Sequence, residues 1–297
     1  MSKTSDMVRK MFKENDDKRD AGLKTPESIL RYDDIIYGDN SDWQRLDVYR
    51  PKSNKDTLPV IISVHGGGWV YGDKERYQYY CMDLAKRGFA VVNFTYRLAP
   101  EYKFPAPLED TNLVFEWVIS NAKEYRFDTE AVFAVGDSAG AHILGLYTAI
   151  CTNETYAKNF EFHVPKDFAP KAIALNCGAY EITFDEKSDD LTQTLMGDFL
   201  PEKGTSLELE MINVANHITK DFPSTFFMTA TGDFLIEQPK VLCQKLMKEN
   251  VPFEFRFYGD AKHELGHVFH LNLKMKEADL CNDEECNFFR SFLTSKE

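Results

Sequence analysis

The stretch Ala131-Val-Phe-Ala-Val-Gly-Asp-Ser-Ala-Gly-Ala-His-Ile-Leu144 decides how the rest of the chain is read. Its apolar run predicts a strand ending at Val135. A Gly-x-Ser-x-Gly turn follows at Gly136, Ser138 and Gly140, and a helix is predicted from Ala139 to about Thr152. A serine held between a strand and a helix is the layout of a nucleophile elbow, a sharp turn that lifts the hydroxyl above a sheet. The flanking glycines keep side chains out of so tight a turn. The five-residue pattern alone arises often by chance, so the strand before it and the helix after it carry the weight.

A second motif completes the first. Val60-Ile-Ile-Ser-Val64 predicts a buried strand that runs directly into His65-Gly-Gly-Gly-Trp69. Consecutive glycines free the backbone to turn its N–H groups inward, where they can stabilise an oxygen that becomes negative during reaction. Gly67 and Gly68, with Ala139 from the elbow, are the candidate oxyanion donors. His65 is expected to brace the loop by hydrogen bonding rather than to move protons.

Outward from these motifs the chain alternates strands and helices. Further strands are predicted at Ile35–Tyr37, Leu46–Tyr49, Ala90–Phe94, Ala172–Leu175, Thr225–Met228 and Phe253–Tyr258. Helices are predicted at Tyr77–Lys86, Leu108–Asn121, Gln238–Glu249 and Asp283–Phe292. About eight strands with interleaved helices imply a single α/β domain over residues 1–297, with a mostly parallel sheet and helices on both faces. Two segments depart from this rhythm. Residues 1–28 are charged and predicted helical. Residues 179–222 carry Leu191, Leu195, Met196, Phe199, Leu207 and Met211 among many acids, a pattern that fits helices with one apolar face.

A serine hydroxyl needs a base, and the base needs an acid to orient it. Asp233 follows the strand that includes Thr225–Met228, at a strand end where sites in such sheets gather. Glu237 is the alternative acid. Three histidines, His263, His267 and His270, follow the last strand, and the residues alone leave the choice of base open. His263-Glu-Leu-Gly-His267 has the histidine spacing of a zinc motif, but that motif requires a helix and Gly266 breaks one. No metal and no cofactor is expected. His142, one turn past Ser138, reads as a packing or hydrogen-bonding residue. Tyr96 and Arg97 read as loop anchors, and Glu109-Asp110 as capping or pairing groups. Trp69 and Tyr71 are candidates for lining a substrate pocket or for the core.

In combination, His65-Gly-Gly-Gly-Trp69, Tyr96-Arg-Leu-Ala-Pro-Glu101, Phe104-Pro-Ala106 and Gly136-Asp-Ser-Ala-Gly140 resemble the hormone-sensitive-lipase-like branch of the α/β-hydrolase superfamily, with its bacterial carboxylesterases. The resemblance runs from about Arg45 to Phe292. It implies an α/β-hydrolase fold with a helical cap built from about 1–28 and 179–222. It also implies a Ser138–His267–Asp233 triad, since Gly266-His-Val-Phe269 matches the family's triad-histidine position. The implied activity is hydrolysis of short-chain acyl esters through an acyl-enzyme, acetylated carbohydrates among them. Two other activities fit related sequences. One is an N-formylkynurenine-type amidohydrolase, which uses the same groups. The other is a non-catalytic ligand-binding protein like the plant gibberellin receptors, which have lost the triad histidine.

Charge and composition narrow the partners. The formal net charge is −13, which opposes binding to nucleic acid or to anionic membranes. The expected partner is a small-molecule ester. No run approaches the roughly 18 apolar residues of a membrane span, and the first residues do not resemble a signal peptide. The six cysteines are scattered without a CxxC pair and read as free thiols. A cytoplasmic protein is therefore expected. A homodimer through an edge strand or surface helix is compatible with the sequence, which specifies none.

Overall fold

The structure, a computed structural model, describes residues 2–54, 56–166, 168–184 and 191–293. Eight strands form one sheet: β1 (Ile29–Ile36), β2 (Arg45–Pro51), β3 (Leu58–Val64), β4 (Ala90–Phe94), β5 (Phe127–Asp137), β6 (Ala172–Asn176), β7 (Ser224–Ala230) and β8 (Phe253–Tyr258). Their order across the sheet is β1-β2-β4-β3-β5-β6-β7-β8. The β1–β2 and β2–β4 pairs are antiparallel and the other five are parallel. This is the mostly parallel eight-stranded sheet that the alternating rhythm predicts.

The central strands read as continuous apolar runs because helices cover both of their faces. β4 and β6 are buried throughout, and β3 and β5 along most of their length. One face packs on the helices Ala106–Ser120 and Ala139–Thr152, the other on Lys74–Lys86 and Lys276–Arg290. In the parallel β3–β5 ladder Val64 lies opposite Gly136. The glycine loop His65–Trp69 and the serine turn therefore leave the sheet side by side. The Asp233 turn leaves the end of β7, two strands away.

Two elements differ from expectation. β1 begins at Ile29, not Ile35, and as an edge strand it exposes Tyr32, Asp33 and Asp34, which hides its strand character in the sequence. The last helix begins at Lys276 rather than Asp283. Its buried face includes Ala278, Asn282 and Glu285, so polar side chains stand where an apolar stripe is looked for.

The helix Lys3–Asp20 lies against the helix Leu191–Phe199, and the hydroxyls of Ser2 and Ser5 donate to Asp198. Arg9 of the first helix bonds the carbonyls of Val70 and Ala99 and pairs with Glu101. Two shorter helices, Ser206–Ile212 and Val214–His217, complete the insertion before β7. Part of the expected cap, 185–190, lies outside the described residues. Among those described, no helix is long and apolar enough to cross a membrane.

Candidate active site

Ser138 occupies the turn between β5 and the helix Ala139–Thr152 with φ 51° and ψ −120°. A non-glycine residue held there stores on the order of 1–3 kcal/mol of strain. Its surroundings hold it in place: its N–H donates to the Asn176 carbonyl at 2.9 Å, and its carbonyl accepts from the His142 N–H at 3.1 Å. Gly140 is needed for a close approach, because a Cβ there would lie 2.1 Å from the Val64 carbonyl oxygen.

His267 meets this serine, with its Nε2 2.9 Å from Ser138 Oγ. Its Nδ1 lies 2.7 Å from Asp233 Oδ1. Asp233 Oδ1 also accepts the Leu235 N–H at 2.8 Å, and Oδ2 accepts the Thr229 hydroxyl at 2.8 Å. Burial alone would raise the Asp233 carboxyl. The hydrogen bond and charge of His267 outweigh it, aided by the Leu235 N–H, and hold the group below the usual carboxylate range. An ionised carboxylate on Nδ1 keeps that nitrogen protonated and leaves Nε2 to accept the serine proton.

The loop after β3 is fixed from two sides. Gly66 donates its N–H to the Tyr77 oxygen at 2.8 Å, and the Tyr77 hydroxyl donates to Asp137 Oδ2 at 2.7 Å. Asp137 is fully buried beneath the elbow. Burial pushes its carboxyl up to about 7, against the opposing bond from Tyr77. His65 donates from Nδ1 to the Gly66 carbonyl at 2.8 Å and stacks on Tyr96 with centroids 4.0 Å apart. The Tyr96 hydroxyl in turn bonds the His65 carbonyl. Burial lowers His65 to about 4, so its ring is neutral. Gly67 has φ +123°, and its carbonyl accepts the N–H groups of Val70 and Tyr71. Ala139 opens its helix, so its N–H has no partner one turn back.

The remaining sequence candidates separate cleanly. His263 pairs at the surface with Glu277 at 3.0 Å. His270 is buried against Tyr80. Glu237 is exposed and pairs with Lys240. His142 links Trp69 to Ile212. Arg97 pairs with both Glu109 and Asp110. Cys177, Asp233 and His267 bring their donor atoms within 4.8 Å of one another. They fit a metal poorly: Asp233 and His267 are spent on each other, and burial pushes the Cys177 thiol up, which keeps it protonated.

Ser138 and His267 open into a cavity of about 500 Å³. Trp69 and Tyr71 line it, as do Gly67, Gly68 and Ala139. Leu191 and Leu195 of the insertion line it as well, along with Phe12, Asp16 and Arg19 from the first helix and Phe234 and Met275, five residues that no sequence pattern marks. Nothing in a charged helix marks Asp16 or Arg19 apart from pairs such as Lys13 and Asp17, which face solvent. Thr229, the donor behind Asp233, was equally unmarked.

Comparisons with known proteins agree with this architecture. A family model described as BD-FAE matches residues 46–246. An acetyl esterase of Salmonella schwarzengrund is 25% identical over 260 residues, 82% of this chain and 74% of that protein. Putative alpha/beta hydrolase R526 of Acanthamoeba polyphaga mimivirus is 27% identical over 212 residues, 69% of this chain. The chain spans only 60% of the length of that viral relative. Among solved structures, inhibited esterase B from Lactobacillus rhamnosis superposes with a TM-score of 0.87 at 24% identity, covering 98% of this chain and 97% of that one. The α/β-hydrolase resemblance carried by the motifs is thereby borne out.

Proposed function

This chain belongs to the BD-FAE family, and we propose that it is a serine-dependent carboxylic-ester hydrolase acting on short-chain acyl esters. The observation that carries this reading is the relay from Asp233 Oδ1 to His267 Nδ1 at 2.7 Å and from His267 Nε2 to Ser138 Oγ at 2.9 Å. His267 takes the serine proton as Oγ attacks the ester carbonyl. The N–H groups of Gly67, Gly68 and Ala139 receive the developing oxyanion. Asp233 stabilises the imidazolium, which then protonates the departing alcohol. Water, activated by the same histidine, releases the acid from Ser138.

The helix Lys3–Asp20 and the described residues of the stretch 179–222 serve as the cap of this single domain. The relatives named acetyl esterase support a short acyl group, acetyl to butyryl, at Ser138. The six cysteines stand as free thiols, in keeping with a cytoplasmic location. His267 within reach of Ser138 favours turnover over mere ligand binding.

The test is hydrolysis of p-nitrophenyl esters from acetate to decanoate by the wild type and S138A. Turnover that peaks at short chains and vanishes in S138A is expected. Turnover that survives in S138A would remove the serine from the mechanism.

A further inference from the structure

The first helix places an acceptor of hydrogen bonds in a mainly apolar substrate cavity. Asp16 and Arg19 both line the space that holds Ser138. Arg19 Nη1 meets Asp16 Oδ1 at 2.9 Å, while its Nε and Nη2 each lie 2.8 Å from Asp20, and Nη2 also donates to the Arg76 carbonyl. The Tyr71 hydroxyl donates to Asp16 Oδ2 at 3.0 Å. Asp16 is thus fixed from two sides, with one donor at each oxygen in these contacts. A carboxylate oxygen can accept two. Arg76 and Lys13, two further cations nearby, are both held by Asp17. Asp16, Asp17 and Asp20 are balanced by Lys13, Arg19 and Arg76, and of the three acids Asp16 is the one that lines the cavity.

We propose that Asp16 is a specificity-determining residue that accepts a hydrogen bond from a hydroxyl on the alcohol part of the substrate, which makes short-chain acyl esters of polyols or sugars the preferred class. This inference rests on the ester-hydrolase reading. With a short acyl group at Ser138, the alcohol must fill the remainder of the cavity and reach the wall that carries Asp16. A hydroxylated alcohol supplies the donor that Asp16 lacks. A plain alkyl alcohol displaces water from a charged oxygen and returns nothing.

The experiment compares kcat/KM for 1-O-acetylglycerol with that for propyl acetate, in the wild type, D16N and D16A, with p-nitrophenyl acetate as a parallel substrate. A site that hydrogen-bonds a substrate hydroxyl discriminates strongly against the analogue without it; because Asp16 keeps two protein donors, about tenfold in favour of the glycerol ester is expected here. The ratio should fall to within about threefold of unity in D16A and to an intermediate value in D16N. A wild-type ratio near unity overturns the proposal. So does an unchanged ratio in the variants with both rates lowered together, which would assign Asp16 only to anchoring the helix. Failure of the wild type on every ester, p-nitrophenyl acetate included, would instead bring down the hydrolase reading itself.

Discussion

Trp69 donates its indole N–H to Nδ1 of His142 at 3.1 Å, across the gap between the glycine loop after β3 and the helix that follows Ser138. The other ring nitrogen of His142 donates to the Ile212 carbonyl at 2.8 Å, in the insertion before β7. One imidazole therefore joins three elements around the cavity. It does so only as the neutral ring with its proton on Nε2, and burial lowers His142 to about 4, which keeps that form through neutral pH.

Replacing this ring tests the joint. H142F removes both bonds and leaves the Trp69 N–H and the Ile212 carbonyl buried without partners. Each such orphan costs about 1–3 kcal/mol, so a stability loss of about 2–6 kcal/mol is expected by urea denaturation. Trp69 also has a left-handed φ of 64° next to Gly68, so kcat should fall with stability. A variant as stable and active as the wild type would contradict the role.

D233N tests the acid in isolation. The amide keeps the shape but can leave the His267 proton on the wrong nitrogen. A fall in kcat of about 10⁴ is expected, with KM little changed. A loss below tenfold on p-nitrophenyl acetate would shift the acid's role to another residue.

T229V removes the hydroxyl that donates to Asp233 Oδ2 and adds only a methyl group. A hydrogen bond to a charged group contributes about 1.5–3 kcal/mol. Stability should fall within that range, and kcat should fall by about tenfold as Asp233 loses its inner anchor. Unchanged kinetics would confine Thr229 to packing.

Glu285 gives a pH signature. It is fully buried, accepts from the Tyr80 hydroxyl at 3.0 Å and from Asn176 Nδ2 at 2.6 Å, and burial pushes it up to about 7 despite those bonds. The folded chain thus keeps a proton that an unfolded one, with its carboxyl near 4.3, has already released. Stability from this group is present at low pH and is lost as pH rises from about 4 to 7. Relative to E285Q, the wild type should lose up to about 3 kcal/mol between pH 4.5 and 8, measured by urea unfolding at both ends. Parallel pH dependence in the two proteins would refute the raised carboxyl.

Much of this site was legible because its parts are local. The strand–glycine–serine–glycine–helix order places Ser138, and the strand–glycine order places the oxyanion loop, each within a dozen residues. The residues alone leave His267 level with His263 and His270; the family resemblance of Gly266-His-Val-Phe269 favours it, and the tertiary path after β8 brings it to Ser138. There Gly232 pairs with Gly266 in an isolated bridge that sets the two loops side by side. The roles of Tyr77 and Thr229 were not legible. Each acts through one hydrogen bond to a carboxylate brought close by the fold, and neither stands in a recurring spacing. The start of the last helix was hidden for a related reason: Asn282 and Glu285 bury polar atoms whose partners, Asp83, Tyr80 and Asn176, come from distant parts of the chain.

The hydroxyls of Ser2 and Ser5 grip Asp198, so the first helix and the helix Leu191–Phe199 are buckled together over the cavity. At its far end the first helix is fastened to the body through Arg19 on the Arg76 carbonyl and Arg76 on Asp17. The roof of the cavity is therefore a single clasp rather than two independent flaps. In the proposed hydrolase, the size of substrate admitted depends on the tightness of that buckle as much as on the volume beneath it.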